Sequence, residues 1–216
     1  MIFRKDTGSI WTSISDLMTG LMVIFLFVCM GFLYQLNGAI NSGKLVQDEI
    51  NAALHNEFSE DELANWGVSM NEENLRVTFV APAVFFDLGS TAVKPKFQEI
   101  LAEFFPRYIK VIDQFSDHIL EVRIEGNSSR EIFDDINSDA AYFYNMKLSQ
   151  ERAFNVLQYV FTLEEMTGKR QWMIDKLRAT GASFSKANLE RADASRCVEI
   201  SIHRNFEKEM KNLERH

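Results

Sequence analysis

The sequence predicts an α+β protein in which a single N-terminal transmembrane helix is followed by an α/β sandwich with a small mixed sheet. Three observations predict this class. Leu17–Leu36 is an uncharged run of twenty residues, long enough to cross a hydrocarbon core of about 30 Å at about 1.5 Å per residue. Apolar residues recur at helical spacing after Pro95. They alternate with polar residues at 120–124 and 198–202, as in half-buried strands.

Composition divides the chain into four segments. We expect a cytoplasmic tail over residues 1–9, a transmembrane helix over 10–36, a connector or plug-like segment over 37–66 and one domain over 67–216. The last segment has the usual size of a single domain.

The charges that flank the apolar run predict its orientation. Arg4 and Lys5 precede the run, whereas Lys44, Asp48 and Glu49 follow it. This weak positive-inside bias places the N-terminus in the cytoplasm and the domain across the membrane.

Asp16 is the only carboxylate of the predicted transmembrane helix. An ionised aspartate at mid-helix costs about 2.5–3.5 kcal/mol, so an acid in such a place is a functional candidate. Thr12, Ser13, Thr19 and Gly20 lie three or four residues away and share its helix face. We therefore predict that Asp16 carries protons and that these four small residues line its pore.

Two other interpretations of this stretch remain open. The helix could enter the bilayer only at Leu17, with Ser15 or Asp16 as a surface cap; Trp11 and Ile14, both apolar, argue against this. The stretch could also be a cleaved signal peptide. Its apolar run is longer than the usual 7 to 15 residues of such peptides, and no small-x-small cleavage site follows it.

The segment 37–66 carries a narrow apolar stripe at helical spacing. The stripe could pair with its copy in a dimer, lie on the membrane as a channel plug, or belong to a plain spacer helix. Ser59 and Glu62 form a capping-box pattern that predicts the start of a second short helix. The stripe consists of Val46, Ile50, Ala53 or Leu54, and Phe58.

The domain should alternate strands and helices. Val68–Met70 and Leu75–Val80 predict a hairpin, because turn residues separate them. A long helix should follow Pro95 and kink at Pro106. Leu120, Val122 and Ile124 should share one strand face, with Gly126 ending the strand.

The C-terminal half of the domain should supply a second long helix, a closing strand and a short terminal helix. The helix carries Leu148, Val156, Leu157, Val160 and Phe161, the strand Val198, Ile200 and Ile202, and the terminal helix Phe206, Met210 and Leu213.

Catalytic and metal-binding signatures were sought and are absent from the sequence. It contains no HExxH, GxxxxGK[ST] or strand-linked GxGxxG motif and no zinc-type Cys/His spacing. The formal charge is −8 without a basic block, which argues against nucleic-acid binding. We expect no catalytic residues, no metal and no cofactor.

Four groups of residues carry a family resemblance and occur in the family's order. Together they resemble the OmpA-like peptidoglycan-binding domain over Val68–Arg204. The groups are Phe86, Gly89 and Ser90; Ile124-Glu125-Gly126; Asn145, Leu148, Ser149, Arg152 and Ala153; and Arg196, Val198, Glu199 and Ile200. The resemblance implies that peptidoglycan is bound by Tyr144, Asn145, Leu148, Arg152 and Arg196.

A second resemblance lies in the membrane helix. The segment 16–22, Asp-Leu-Met-Thr-Gly-Leu-Met, is similar to the segment around the proton-carrying aspartate of MotB-type stator subunits. It implies a homodimer inside a ring of MotA-like partners in the bacterial inner membrane, with the domain in the periplasm.

Within this group, residues 14–21 and the Tyr144-Asn145-x-x-Leu148-x-x-x-Arg152 arrangement resemble the MotB-like subunits of Zorya anti-phage defence systems. That likeness implies a ZorA pentamer as the partner and indirect communication with cytosolic defence effectors. A flagellar MotB-like subunit and a static membrane-tethered wall anchor remain alternatives. A TolR/ExbD-type subunit fits less well, because those proteins lack the OmpA-like domain.

One departure from the family concerns the acid that pairs with the diaminopimelate amine of the wall. The family usually has Gly-His-Thr-Asp, whereas this chain has Gly-Asn-Ser-Ser over 126–129. Asp134, Asp135 and Asp139 in the following insert are candidate replacements, or else a solvated helix face. Arg152 suits bidentate recognition of a peptide carboxylate, with a structural salt bridge as its alternative role.

Overall fold

The computed structural model describes residues 7–80, 85–128, 139–184, 197–205 and 208. The chain forms two compact units, one up to Lys44 and the other over Leu45–Lys208. The helices are α1 (Thr7–Glu57), α2 (Glu60–Trp66), α3 (Pro95–Asp113), α4 (Asp139–Val160) and α5 (Arg170–Lys176), with a 3-10 helix at Glu164–Lys169. The strands are β1 (Val68–Asn71), β2 (Arg76–Phe79), β3 (Ile119–Gly126), β4 (Leu177–Gly181) and β5 (Val198–Arg204).

The first unit is the part of α1 up to Lys44. Large apolar side chains are exposed on all its sides, among them Leu17, Phe25 and Phe27. A helix that is apolar all round needs lipid or protein around it. This part belongs to α1, the one helix among the described residues that is long and apolar enough to cross a membrane. The predicted N-terminal apolar helix is therefore confirmed.

The second unit is built on a five-stranded mixed sheet in the order β1-β2-β5-β3-β4. The predicted hairpin is confirmed, with Val68 opposite Phe79 and Asn71 opposite Arg76. The predicted closing strand β5 lies at the centre, antiparallel to both β2 and β3. Strand β4 was not predicted from the sequence; it pairs parallel with β3 and has only one buried residue, Leu177.

Leu120 was predicted on the buried face of β3, and this prediction is wrong. Leu120 is 55% exposed, whereas Ile119, Val122 and Ile124 are fully buried. The pairing with β5 is irregular between Ile119 and Glu121. An irregularity of this kind shifts the alternation by one residue, so Ile119 takes the inward place expected for Leu120.

Aromatic side chains connect α3 to the sheet. The helix runs without interruption through Pro106. Phe97 and Phe104 on α3 pack against Phe79 of β2, with ring centres 5.4 and 5.3 Å from it. These rings form the centre of the core.

The apolar stripe predicted in segment 37–66 joins the same core. Ile50, Leu54 and Phe58 are at most 3% exposed, and the Phe58 ring stacks on Phe104 at 4.8 Å. In this structure the buried side of the stripe packs within the domain, which leaves it unavailable to a second copy or to a membrane surface.

Arg107 holds the junction of α1 and α2. Its Nε donates to Glu57 Oε1 at 2.8 Å and its Nη1 to Glu62 Oε1 at 2.6 Å. The hydrogen bond from Arg107 lowers the pKa of Glu62 below its usual value. Ser59 Oγ accepts from the Glu62 amide at 3.3 Å, which confirms the predicted helix start.

Two glycines bring α4 against the sheet. Gly126 of β3 and Gly181 of β4 are register partners. A Cβ on Gly126 would lie 2.1 Å from the Ser149 carbonyl oxygen, and one on Gly181 would lie 2.5 Å from the Gln150 amide nitrogen. Only the lack of a side chain at both positions permits this approach.

Several predicted features lie outside the described residues. They are the charged tail with Arg4 and Lys5, the altered position Ser129, the insert acids Asp134 and Asp135, the site residue Arg196, and the terminal helix with Phe206, Met210 and Leu213.

Gly126→Ala should lower the free energy of unfolding of the domain by about 3 kcal/mol, because the new methyl group meets backbone rather than a movable side chain. This value is at the upper end of the usual cost of adding a methyl group to a well-packed core. Thermal unfolding of the detergent-solubilised chain measures this. Gly168→Ala is the matched control, because nothing lies within 4 Å of its added Cβ. Equal melting temperatures for both variants would contradict the close approach of α4.

Candidate functional site

The first candidate site is the polar face of α1 around Asp16. Thr12, Ser13, Asp16, Thr19 and Gly20 are all exposed. The Thr19 hydroxyl donates to the Ser15 carbonyl at 2.8 Å, and an added Cβ at Gly20 would have no neighbour within 4 Å. The face therefore offers a carboxylate beside small and hydroxyl-bearing residues, which can bind water or admit a close partner helix.

Four of the five predicted wall-binding residues lie in the first half of α4, and three of these turn inward. Asn145, Leu148 and Arg152 are at most 6% exposed, whereas Tyr144 is 40% exposed. All four were predicted as peptidoglycan contacts. The structure leaves Tyr144 as the accessible member and places the others between α4 and its neighbours.

Arg152 connects α4 to the Phe86–Ser90 segment. Its Nε donates to the Ser90 carbonyl at 2.9 Å and its Nη2 to the Asp87 carbonyl at 3.4 Å. The guanidinium carbon lies 5.0 Å from the centre of the Phe86 ring, within cation–π distance. This buried cation therefore shapes the segment that it contacts, in addition to any role toward a ligand.

Tyr144 also approaches this segment. A Cβ built on Gly89 would be 3.6 Å from the Tyr144 hydroxyl oxygen. Lys94 Nζ donates to Asp87 Oδ1 at 2.9 Å and holds the segment from outside. The Phe86–Ser90 segment and the start of α4 therefore form one continuous surface.

Buried hydrogen-bond acceptors without partners lie at this end of α4. Among the described residues, Asn145 Oδ1, Asn127 Oδ1 and Ser128 Oγ have no hydrogen-bond partner. The Asn145 Nδ2 group is engaged, because it donates to the Ala141 carbonyl at 2.9 Å. Unpaired buried polar groups are rare and costly, so these oxygens are candidates to receive N–H groups of a ligand.

A chain of hydrogen bonds places Ser128 next to α4. Its amide donates to the Ser183 carbonyl at 2.9 Å, and the Ser183 amide donates to Ser149 Oγ at 3.0 Å. Asn127, Ser128 and Ser183 were not predicted as part of the site. The departure from the family pattern at 127–129 was the only signal that pointed to the first two.

The other predicted groups add little to the candidate site. Asp139 is the first residue of α4 and is exposed. Among the described residues there is no group of three or more His, Cys, Asp or Glu side chains that could hold a metal ion.

The sequence and fold were compared with known proteins. No protein-family model matches the sequence. The Zorya protein ZorB of Escherichia coli is 39% identical over 215 residues, which cover 94% of this chain and 91% of that protein.

Among solved structures, a MotB-like protein from Desulfovibrio vulgaris has a TM-score of 0.52 and 17% identity, covering 79% of this chain and 99% of that chain. This likeness shows the fold and confirms the predicted α+β architecture. The cell wall anchor of the T6SS from Pseudomonas aeruginosa has a TM-score of 0.47 and 22% identity, covering 70% of this chain and 97% of that chain.

Arg152→Ala should loosen the Phe86–Ser90 segment, because it removes hydrogen bonds from a buried charged group that are worth about 1.5–3 kcal/mol. The Ser90 amide, which donates to the Asp87 carbonyl, should exchange its hydrogen about ten- to a hundredfold faster. Arg178→Ala is the control, because Arg178 also donates to backbone carbonyls but is exposed. Unchanged exchange at Ser90 would show that Arg152 does not hold the segment.

Proposed function

We propose that this chain, which belongs to the ZorB family of Zorya proteins, is the wall-anchored stator subunit of a proton-driven motor in the bacterial inner membrane. Membership of the family follows from 39% identity over nearly the whole chain. The observation that supports the motor function is Asp16. Its carboxyl group lies on an apolar helix and is exposed rather than buried in a protein core.

The proposed proton step uses Asp16 alone among ionisable groups. The carboxyl group alternates between a neutral form that tolerates an apolar surface and a charged form that needs a watered or polar one. Each proton that crosses 100 mV of membrane potential releases about 2.3 kcal/mol. That energy is sufficient to move a helix interface if the proton transfer and the movement are coupled.

The proposed assembly follows from the exposed surface of α1. The polar face with Thr12, Ser13 and Thr19 fits a packed or watered interface, which one helix does not provide by itself. We propose that two copies of the chain place these faces inside a pentamer of MotA-like ZorA subunits. The N-terminus would be cytoplasmic and the domain periplasmic, and movement of the ring would signal to cytosolic effectors.

Two alternative functions from the sequence analysis have less support. A flagellar role would rest on likeness to MotB-like structures, which at 17% identity concerns the fold. A static wall anchor would need no carboxyl group at Asp16. We therefore propose a role in anti-phage defence, as a non-catalytic protein.

Asp16→Asn should abolish protection against phage while the chain still assembles with its partner, because the amide mimics the neutral carboxyl group permanently. The measurements are plating efficiency of phage on cells that express the complete system and co-purification of the MotA-like partner. Asp48→Asn is the control, since Asp48 is an exposed acid on the same helix beyond the apolar run. Full protection by the Asp16 variant would rule out the proton-carrying role.

The domain is proposed to bind peptidoglycan at the start of α4. Tyr144 supplies the accessible part of the surface, and Arg152 supplies positive charge next to the Phe86–Ser90 segment. The unpaired oxygens of Asn145, Asn127 and Ser128 are proposed to accept N–H groups of the stem peptide. They would take over the role of the acid that the family usually has at this place. The resemblance to the OmpA-like domain also assigns Arg196 to this surface.

Asn145→Ala should weaken binding of the full chain to isolated sacculi about two- to tenfold, the value of one neutral hydrogen bond. Its fold should be retained, because Oδ1 makes no hydrogen bond within the described chain and the only one lost, from Nδ2 to the Ala141 carbonyl, lies within the same helix. Asn155→Ala is the matched control, since Asn155 lies on the same helix and donates to the Thr91 carbonyl at 2.7 Å. Parental binding by the Asn145 variant would exclude Asn145 from the site.

A further inference from the structure

An exposed stripe runs along the outer side of α4 and contains two phenylalanines. Phe143 and Phe154 are 67% and 53% exposed and eleven residues apart, close to three full turns at about 3.6 residues per turn. They therefore point in nearly the same direction, about 16.5 Å apart along the helix axis. We name this face the α4 stripe, and its members are all exposed: Asp139, Phe143, Lys147, Gln150, Phe154 and Gln158.

The buried residues of α4 lie on the other side of the helix. Leu148, Arg152 and Val156 are at most 6% exposed and four residues apart, so they form a row of their own. The α4 stripe faces away from the domain and extends over 139–158, about 29 Å along the helix axis. Single exposed apolar residues are ordinary, but two phenylalanines on one helix face gain from being covered together.

The stripe is self-complementary in one arrangement. When a second copy of α4 lies antiparallel, with the two-fold axis midway between the phenylalanines, residue i of one copy meets residue j of the other and the reverse. Phe143 then lies level with Phe154 of the second copy at both ends of the contact. Lys147 lies within about 1.5 Å of the height of Glu151 of the second copy, so opposite charges meet near the axis.

Other arrangements of two stripes are less favourable. A parallel pair would place Lys147 beside Lys147 and Glu151 beside Glu151, and like charges in an interface repel. A two-fold axis at Phe143 would match Asp139 with Lys147 but would leave the ring of Phe154 uncovered. Within one copy Lys147 Nζ lies 3.8 Å from Glu151 Oε1, so the antiparallel pair gathers four alternating charges without a net charge.

We propose that the α4 stripe binds the α4 stripe of a second copy of this chain in this antiparallel arrangement. The inference rests on the pairing of two chains proposed above and names the surface through which their domains meet. A single helix face is a small interface. Two chains held together by their membrane helices raise the local concentration of their domains, so a small interface is sufficient.

The test is disulfide formation between copies after Phe143→Cys and Phe154→Cys in one chain, with Cys29→Ser to remove the cysteine of the membrane helix. The two sites of one chain are about 16.5 Å apart, beyond the roughly 7 Å between Cα atoms that a disulfide allows. Facing positions of two packed helices lie within that limit. Mild oxidation of membranes that contain the full chain and its MotA-like partner should therefore give a crosslinked dimer on a non-reducing gel.

The single variants give the register of the contact. Phe143→Cys alone should not crosslink, because position 143 of the two copies is about 16.5 Å apart along the axis, and Phe154→Cys alone should not crosslink for the same reason. Co-expression of the two single variants should give the dimer. Phe143→Cys with Ile174→Cys is the matched control without a crosslink, because Ile174 is 59% exposed on α5, outside the stripe.

The central charges supply a second measurement. Lys147→Glu in the doubly substituted chain should slow crosslinking about two- to tenfold, and adding Glu151→Lys should restore the rate, because opposite charges face each other again. Crosslinking of a single variant or of the Ile174 control at the rate of the double variant would overturn the arrangement. Absence of the crosslink in a chain that is dimeric by light scattering would overturn the α4 contact and leave the membrane pairing intact. A monomeric chain would overturn both proposals.

Discussion

The close approach of α4 to the sheet is the constraint on which the candidate site of the domain depends. Gly126 and Gly181 lie side by side on parallel strands, and the backbone of α4 at Ser149 and Gln150 occupies the space that side chains would fill. This contact fixes both the distance of α4 from the sheet and the rotation of α4 about its own axis. The inward direction of Asn145 and Arg152 and the outward direction of Phe143 follow from it, because residues of one helix turn together.

Arg152 has a structural role at the same place where a ligand contact is proposed for it. Its hydrogen bonds to Ser90 and Asp87 shape the Phe86–Ser90 segment, and its stacking on Phe86 offsets part of the cost of burying a guanidinium group. A ligand that approaches this segment therefore meets a surface whose form and charge both derive from Arg152. Loss of binding in an Arg152 variant has two physical causes, and for that reason Asn145 is the more informative position to change.

The two units are stabilised in opposite ways. Residues 45–208 bury a core of aromatic and aliphatic side chains, in which Phe58, Phe79 and Phe104 pack together. The part of α1 up to Lys44 exposes its apolar side chains, so it needs lipid or protein around it. The charged form of Asp16 is compatible with such a helix only where a polar or watered surface faces it.

Local patterns in the sequence determined the apolar helix with Asp16, the hairpin, the helix after Pro95, the closing strand and the start of α2 at Ser59. Each of these depends on periodicity or capping within a few residues, which a single chain segment encodes by itself. The tertiary structure decided the outcome where distant segments compete for the same space. It placed Ile119 rather than Leu120 on the inner face of β3, added β4 as a strand without an alternating pattern, and packed Ile50, Leu54 and Phe58 into the core of the domain. It also turned Asn145, Leu148 and Arg152 inward, because the direction of a helical side chain depends on which side of the helix meets the sheet, and here two glycines on other elements set that direction.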